Sequence, residues 1–113
     1  MPSPPRLTAP EEFRQAYREG TRIANDRIII HAVSRGVGPA RVGIAVRRQL
    51  GGAVRRNRVK RRIREASART YDLLPAGVDV VVVPRSTAVH ASFGELVAAL
   101  TDVFVRARAE GRP

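Results

Sequence analysis

The chain has 113 residues, 43% of them apolar and 27% charged, with 21 lysines and arginines against 10 acids for a formal charge of +11. That apolar share supports one globular domain burying about two-thirds of its unfolded surface, which excludes a disordered basic tail. Cysteine is absent, so disulfides and thiolate metal sites are excluded as well.

Residues 1–7 contain Pro2, Pro4 and Pro5 and are expected to form a flexible N-terminal arm on a single domain spanning residues 1–113. Thr8 and Glu11 stand at capping-box spacing, Phe13, Ala16 and Tyr17 share one helical face, and Gly20 is a stop, which predicts a first helix over Ala9 to Glu19. Thr21 to Asn25 and Arg27 to Val33 read as extended, the second rich in β-branched residues, and Arg35 to Ala40 reads as a turn. Arg41 to Val46 alternates, with Val42, Ile44 and Val46 on one face, and predicts a third strand. Gly51 and Gly52 precede a second helix running to Thr70. At about 100° per residue, Val59, Ile63, Ala66 and Thr70 form its buried stripe, while Asn57, Lys60, Arg61, Arg64 and Ala68 face the other way and Arg56 and Arg62 flank them. After the loop LLPAG, VDVVVVP predicts a buried strand. Ser92 with Glu95 then caps a last helix in which Phe93, Leu96, Val97, Leu100, Val103, Phe104 and Ala107 repeat at helical spacing. The order αβββαβα predicts an α+β two-layer sandwich with helices mainly on one face.

The charge is concentrated. Ten basic residues and no acid lie between Arg41 and Arg64, and the densest part reads RRNRVKRRIR. Like charges on neighbouring helical turns repel, solvated faces usually mix signs, and a counter-charged polymer is the usual compensation, so a nucleic-acid partner is predicted. Within that helix Glu65 has Arg61 and Arg69 at four-residue spacing as pairing partners. Protein catalysis finds little support: His31 and His90 are the only histidines, Asp79, Asp102, Glu65 and Glu95 are scattered, and neither catalytic residues nor metal ligands are predicted. Gly36, Gly38, Gly51 and Gly52 lack phosphate-loop spacing and read as turns, although the latter pair would let an RNA backbone approach the start of the second helix. Phe13 and Tyr17 have two readings, core residues of an amphipathic helix or stacking platforms for unpaired bases. The longest apolar runs, Ile28 to Ile30 and Val80 to Val83, fall far short of the roughly 20 residues of a membrane span, and MPSPPRL has no apolar signal core. A soluble, cytoplasmic protein with no membrane partner is expected.

The stretch RVGIAVRRQLGGAVRRNRVKRRIREA, residues 41–66, resembles the signature region of the bacterial ribonuclease P protein component, whose R-N-R-x-K-R-x-x-R-E run appears as Arg56, Asn57, Arg58, Lys60, Arg61, Arg64 and Glu65. LTAPEEFRQAYREGTRIAN resembles that family's first helix and strand, and VDVVVVPR with FGELVAALTDVF its last strand and helix. The resemblance implies a left-handed βαβ crossover of ribosomal-protein type. It also implies the protein subunit of an endoribonuclease that removes the 5′ leader of precursor tRNA, with catalysis and Mg2+ residing in a catalytic RNA. By the same resemblance Arg56, Asn57, Arg58, Lys60, Arg61 and Arg64 contact the RNA subunit, and Phe13, Tyr17 and Arg22, with Arg47 and Arg48 at the basic end of the third strand, serve the leader. The sequence departs from the family pattern at Ala45, where serine is common, at Arg47, where serine or threonine is common, at Gln49 for lysine and at Gly52 for asparagine. His31 stands at a frequent aromatic position and retains a ring that can stack.

A competing reading is a non-catalytic ribosomal or translation-associated RNA-binding protein, since related crossover folds occur there. A DNA-binding architectural role is disfavoured, because neither a helix-turn-helix nor a zinc pattern is present.

Overall fold

The computed structural model describes residues 4–110. The elements follow the predicted order: α1 (Pro10–Glu19), β1 (Thr21–Ala24), β2 (Ile28–Ser34), β3 (Arg41–Ile44), α2 (Ala53–Thr70), β4 (Val78–Pro84) and α3 (Phe93–Glu110). The strands form one sheet in the order β1-β2-β4-β3, antiparallel except for the parallel pair β3 and β4, which α2 connects.

β4 is central and every one of its residues is buried, which is why VDVVVVP carries no polar alternation. Val80 and Val82 face the larger core with Ile28, Ile30, Ile63, Leu100 and Phe104, whereas Val81 and Val83 face the opposite side with Leu7, Ala16 and Ile29. α2 and α3 therefore form one layer over one face, and α1 alone lies on the other. A single ten-residue helix cannot cover a four-stranded sheet, so part of that second face stays open.

The stripe predicted for α2 is the one that packs: Val59, Ile63, Ala66 and Thr70 are buried, joined by Ser67. α3 begins with the predicted capping box, in which Glu95 N–H donates to Ser92 Oγ (3.1 Å) and Ser92 N–H to Glu95 Oε1 (2.8 Å). The box expected from Thr8 and Glu11 is replaced. Glu12 Oε1 instead accepts from the backbone N–H groups of Ala9 (3.0 Å) and Thr8 (3.2 Å), because Pro10 starts the helix and places Glu12 at its third position, while Glu11 turns outward to Arg14. β1 stops at Ala24, since Asn25 Oδ1 accepts from Arg27 and Ile28 N–H and closes the hairpin. β3 stops at Ile44, ahead of the 3-10 turn Arg48–Leu50 that leads through Gly51 into α2.

The N-terminal segment departs from the expected loose arm. Val42 N–H donates to Pro5 C=O (2.9 Å), Leu7 N–H donates to Val42 C=O (3.2 Å), and Leu7 is buried, so residues 5–7 extend the sheet beyond β3 and cover its edge. The start of the predicted arm, residues 1–3, lies outside the described residues.

Four charged side chains tie α1 to the sheet. Asp79, 3% exposed, accepts from Arg35 Nη1 (2.7 Å), Arg41 Nε (2.9 Å) and Arg41 Nη2 (2.7 Å), and Arg41 also pairs with Glu12 of α1 (2.7 Å). A buried carboxylate held by two guanidinium groups meets the requirement that an interior charge be paired and hydrogen-bonded.

Candidate nucleic-acid interface

Two surfaces carry the predicted site residues. The first is the outer face of α2. Asn57, Arg58, Lys60 and Arg61 are exposed, Arg56 and Arg64 half-buried. None of Arg55, Arg56, Arg58, Lys60, Arg61 and Arg64 has an ion-pair partner among the described residues, where the bridges found join Arg14, Arg18, Arg27, Arg35, Arg41 and Arg106 to acids. The expected internal pairing of Glu65 does not form: Arg69 lies over the Phe93 ring, 5.1 Å from its centroid, and Arg62 donates to Ala91 C=O. So Arg62 and Arg69 bond and stack inside the protein, while Arg55, Arg56, Arg58, Lys60, Arg61 and Arg64 have no matching acid among the described residues. Gly52 at the N-cap has open space around it and supplies no side-chain cap, leaving the first backbone N–H groups of α2 accessible to an anion.

The second surface is the open part of the sheet beside α1. Strand register sets Arg22, His31, Val81 and Gly43 in one row across the sheet on the α1 side. α1 crosses this row. Phe13 lies against Gly43, where an added Cβ would come within 2.7 Å of the ring, and Tyr17 meets His31 edge-on at 5.0 Å and 85°. Phe13 is half-buried against the smaller core, whereas Tyr17 is 45% exposed, which divides the two readings of these aromatics: Phe13 is a wall shared by core and surface, and Tyr17 is a platform open to solvent. Beyond Tyr17 a groove floored by Ile29 and Val83 is rimmed by Arg22, Arg47 and Arg85. Burial, followed by the nearby positive charges of Arg22 and Arg47, holds the His31 imidazolium below its ordinary pKa, and burial raises that of the Tyr17 phenol against the opposing effect of Arg47. The groove thus presents three guanidinium groups beside the exposed Tyr17 ring and the His31 imidazole, a set suited to unpaired bases on a phosphate chain.

The structure brings Arg22 and Arg47 together on this groove, sets Tyr17 close enough to Arg47 to feel its charge, and leaves Arg48 exposed at the turn next to it. Sequence reading missed Arg85. Its only signal is its place immediately after β4, which strand register alone converts into proximity to Arg47. Among the described residues no three histidine, cysteine, aspartate or glutamate side chains are grouped so as to hold a metal ion.

The match to known proteins decides the family. The family model described as Ribonuclease P matches residues 1–108. The chain belongs to the ribonuclease P protein component family. Within it, the Symbiobacterium thermophilum ribonuclease P protein component is 38% identical over 103 residues, covering 90% of each chain, and that of Beutenbergia cavernae is 41% identical over 98 residues, covering 85% of this chain and 82% of the relative. The solved RNase P protein of Thermotoga maritima superimposes with a TM-score of 0.81 at 30% identity, covering 89% of this chain and 96% of the other. The RNase P protein of Staphylococcus aureus gives 0.78 at 27% identity, covering 91% and 94%. The α1 groove and the basic helix α2 both fall inside the span matched to the ribonuclease P family.

Proposed function

We propose that this chain is the protein subunit of a ribonuclease P ribonucleoprotein, in which it holds the RNA subunit on α2 and the 5′ leader of precursor tRNA in the α1 groove. The observation that carries this reading is the row of unpaired cations on α2, standing beside a separate groove whose aromatic and guanidinium groups suit a single strand. On α2, Arg56, Arg58, Lys60, Arg61 and Arg64 neutralise phosphates of the folded RNA, and Asn57 supplies a neutral donor and acceptor between them. In the groove, Tyr17 and Phe13 offer ring faces to leader bases, while Arg22, Arg47, Arg48 and Arg85 follow the leader backbone.

On this reading the scissile phosphodiester is hydrolysed by the RNA subunit, which would hold the magnesium ions that the chemistry needs. The protein's contribution is positional: tethering the leader raises the effective concentration of the cleavage site at the ribozyme. No helix of the described residues is long and apolar enough to cross a membrane, and the reading places the protein with its RNA in the cytoplasm.

Reconstitution tests the reading. The chain and its RNA subunit, at low magnesium, should cleave precursor tRNA faster than the RNA alone, and Tyr17→Ala should weaken binding of precursor tRNA while sparing mature tRNA. Cleavage by the protein without RNA, or equal loss on both tRNAs, refutes it.

A further inference from the structure

Arg41 opens the basic run that continues into α2, yet its guanidinium is taken up inside the protein. Nη1 meets Glu12 Oε2 of α1 (2.7 Å), and Nε and Nη2 donate to Asp79 Oδ1 and Oδ2 of β4 (2.9 and 2.7 Å). Arg35 reaches the same Asp79 from just past β2 (2.7 Å). Two arginines and two acids thus form a chain from turn to sheet to helix whose formal charges cancel, so a phosphate has little to gain there. Asp79 is the only charged residue of β4, and it is 3% exposed.

α1 has little else to hold it. Of its ten residues only Ala16 is buried, with Glu12 and Phe13 half-buried beside it. Its C-terminal end runs through Gly20 straight into β1, so the strand fixes that end. At the N-terminal end Glu12 makes two sets of contacts: Oε1 accepts from Thr8 and Ala9 N–H, and Oε2 meets Arg41. The Ala9 donor, then that of Thr8, holds the carboxyl below its ordinary pKa against burial, and the charge of Arg41 adds to them, so the pair is ionised at neutral pH.

An apolar contact would hold the helix at a lower desolvation cost, because a buried ion pair takes two charges out of water. It would not fix the helix angle, since apolar attraction is non-directional, whereas charge-assisted hydrogen bonds to a planar guanidinium admit a narrow range of orientations. Phe13 follows Glu12 directly and Tyr17 stands just beyond Ala16, so a tilt of α1 about Ala16 moves both rings relative to the sheet. We propose that Glu12, Arg41 and Asp79 are positioning residues for the leader: they touch no RNA themselves and fix the angle at which α1 presents Phe13 and Tyr17. The inference rests on the leader-groove reading above. It adds two acids that a basic-surface account leaves out, and it withdraws Arg41 from the phosphate contacts.

Two substitutions that shift the net charge in opposite directions test it. Glu12→Gln removes a negative charge and keeps an oxygen for the cap, and Arg41→Gln removes a positive one. Each full-length variant is reconstituted with the RNA subunit and assayed at a temperature where circular dichroism shows it folded. Attraction to RNA alone would make Glu12→Gln bind precursor tRNA more tightly and Arg41→Gln less tightly. Positioning instead makes both lower the affinity for precursor tRNA relative to mature tRNA, by about two- to thirtyfold. The affinity of each variant for the RNA subunit, and its salt slope, should stay at the wild-type values. A ratio for Glu12→Gln that rises, or changes by less than about twofold, overturns the inference whether or not Arg41→Gln folds. Equal losses on precursor tRNA, mature tRNA and the RNA subunit overturn it as well, because a loosened fold weakens every contact alike. A salt slope for Arg41→Gln shallower by about one unit would make Arg41 a phosphate contact and has the same consequence. Tyr17→Ala, run in parallel, separates the two readings. If it is silent, the leader groove fails and this inference with it; if it lowers the ratio and Glu12→Gln does not, only the positioning role fails.

Discussion

Replacing Arg58 and Arg61 together by alanine deletes two exposed cations of α2 that touch no acid and lie off its buried stripe. Six cations on this helix lack a partner among the described residues, namely Arg55, Arg56, Arg58, Lys60, Arg61 and Arg64. If each meets one phosphate, the logarithm of the affinity for the RNA subunit falls with the logarithm of salt at a slope of about −5, at roughly 0.9 per contact. Raising salt fourfold, from about 50 to 200 mM, then weakens the wild-type complex about a thousandfold. The double variant keeps four contacts and a slope of about −3.6, so the same change weakens it only about a hundredfold. Alanine is a better helix former than arginine and removes like-charge repulsion, so the melting temperature of the free chain should not fall. Filter binding or fluorescence anisotropy across a salt series reads the slope, and circular dichroism reads the melt. A wild-type slope retained by the double variant would show that these arginines do not meet phosphates, and a destabilised fold would show that the helix faces are wrongly assigned.

Gly43→Ala places a β-carbon 2.7 Å from Phe13 Cζ and 3.0 Å from Leu7 Cβ, and the resulting overpacking should cost about 1–3 kcal/mol in urea denaturation and weaken leader binding by moving Phe13. A stability within about 0.5 kcal/mol of wild type would contradict that contact. His31, whose pKa in the folded chain is lowered, binds protons less readily than in the unfolded chain. Its contribution to stability is complete above about pH 6.5 and is lost as pH falls from there through the folded value. A leader phosphate near Arg22 and Arg47 offsets their charge, so an NMR titration of the imidazole should give a higher pKa with a leader-bearing RNA bound than in the free chain, and an unmoved value would place the leader elsewhere.

What the sequence made legible was local. The apolar run of β4 needs no partner to be recognised, the Ser92 and Glu95 box spans four consecutive positions, and the stripe on α2 follows from helical spacing alone. The exposed cationic side of α2 was legible for the same reason, as the complement of that stripe. What escaped depended on register between distant segments. Glu12 rather than Glu11 caps α1 because the helix begins at Pro10, and the same Glu12 is then placed to meet Arg41, whose partner Asp79 lies 38 residues further on. Arg85 reaches the groove only because β4 lies between β2 and β3 in the sheet. Pro5 to Leu7 were misjudged because three prolines in a short segment signal an absence of helix. That composition is equally compatible with a short extended piece hydrogen-bonded to a sheet edge.

The two classes of charge in this chain act in opposite directions, and salt separates them. Glu12 of α1, Arg41 of β3, Asp79 of β4 and Arg35, just past β2, are paired with one another, partly or wholly buried, and so are little affected by screening. The cations of α2 repel one another across a solvated face, and screening relieves them, since the Debye length falls from about 10 Å at 0.1 M to about 3 Å at 1 M. The free chain should therefore melt at a higher temperature as sodium chloride rises from about 50 to 300 mM, over the range in which its affinity for RNA collapses. Binding to RNA replaces that screening, so the melting temperature of the complex should exceed that of the free chain most at low salt. A free chain whose stability falls with salt would mean that its net electrostatic balance is attractive, and α2 would then lack the unrelieved repulsion on which its proposed role as an RNA-binding face depends.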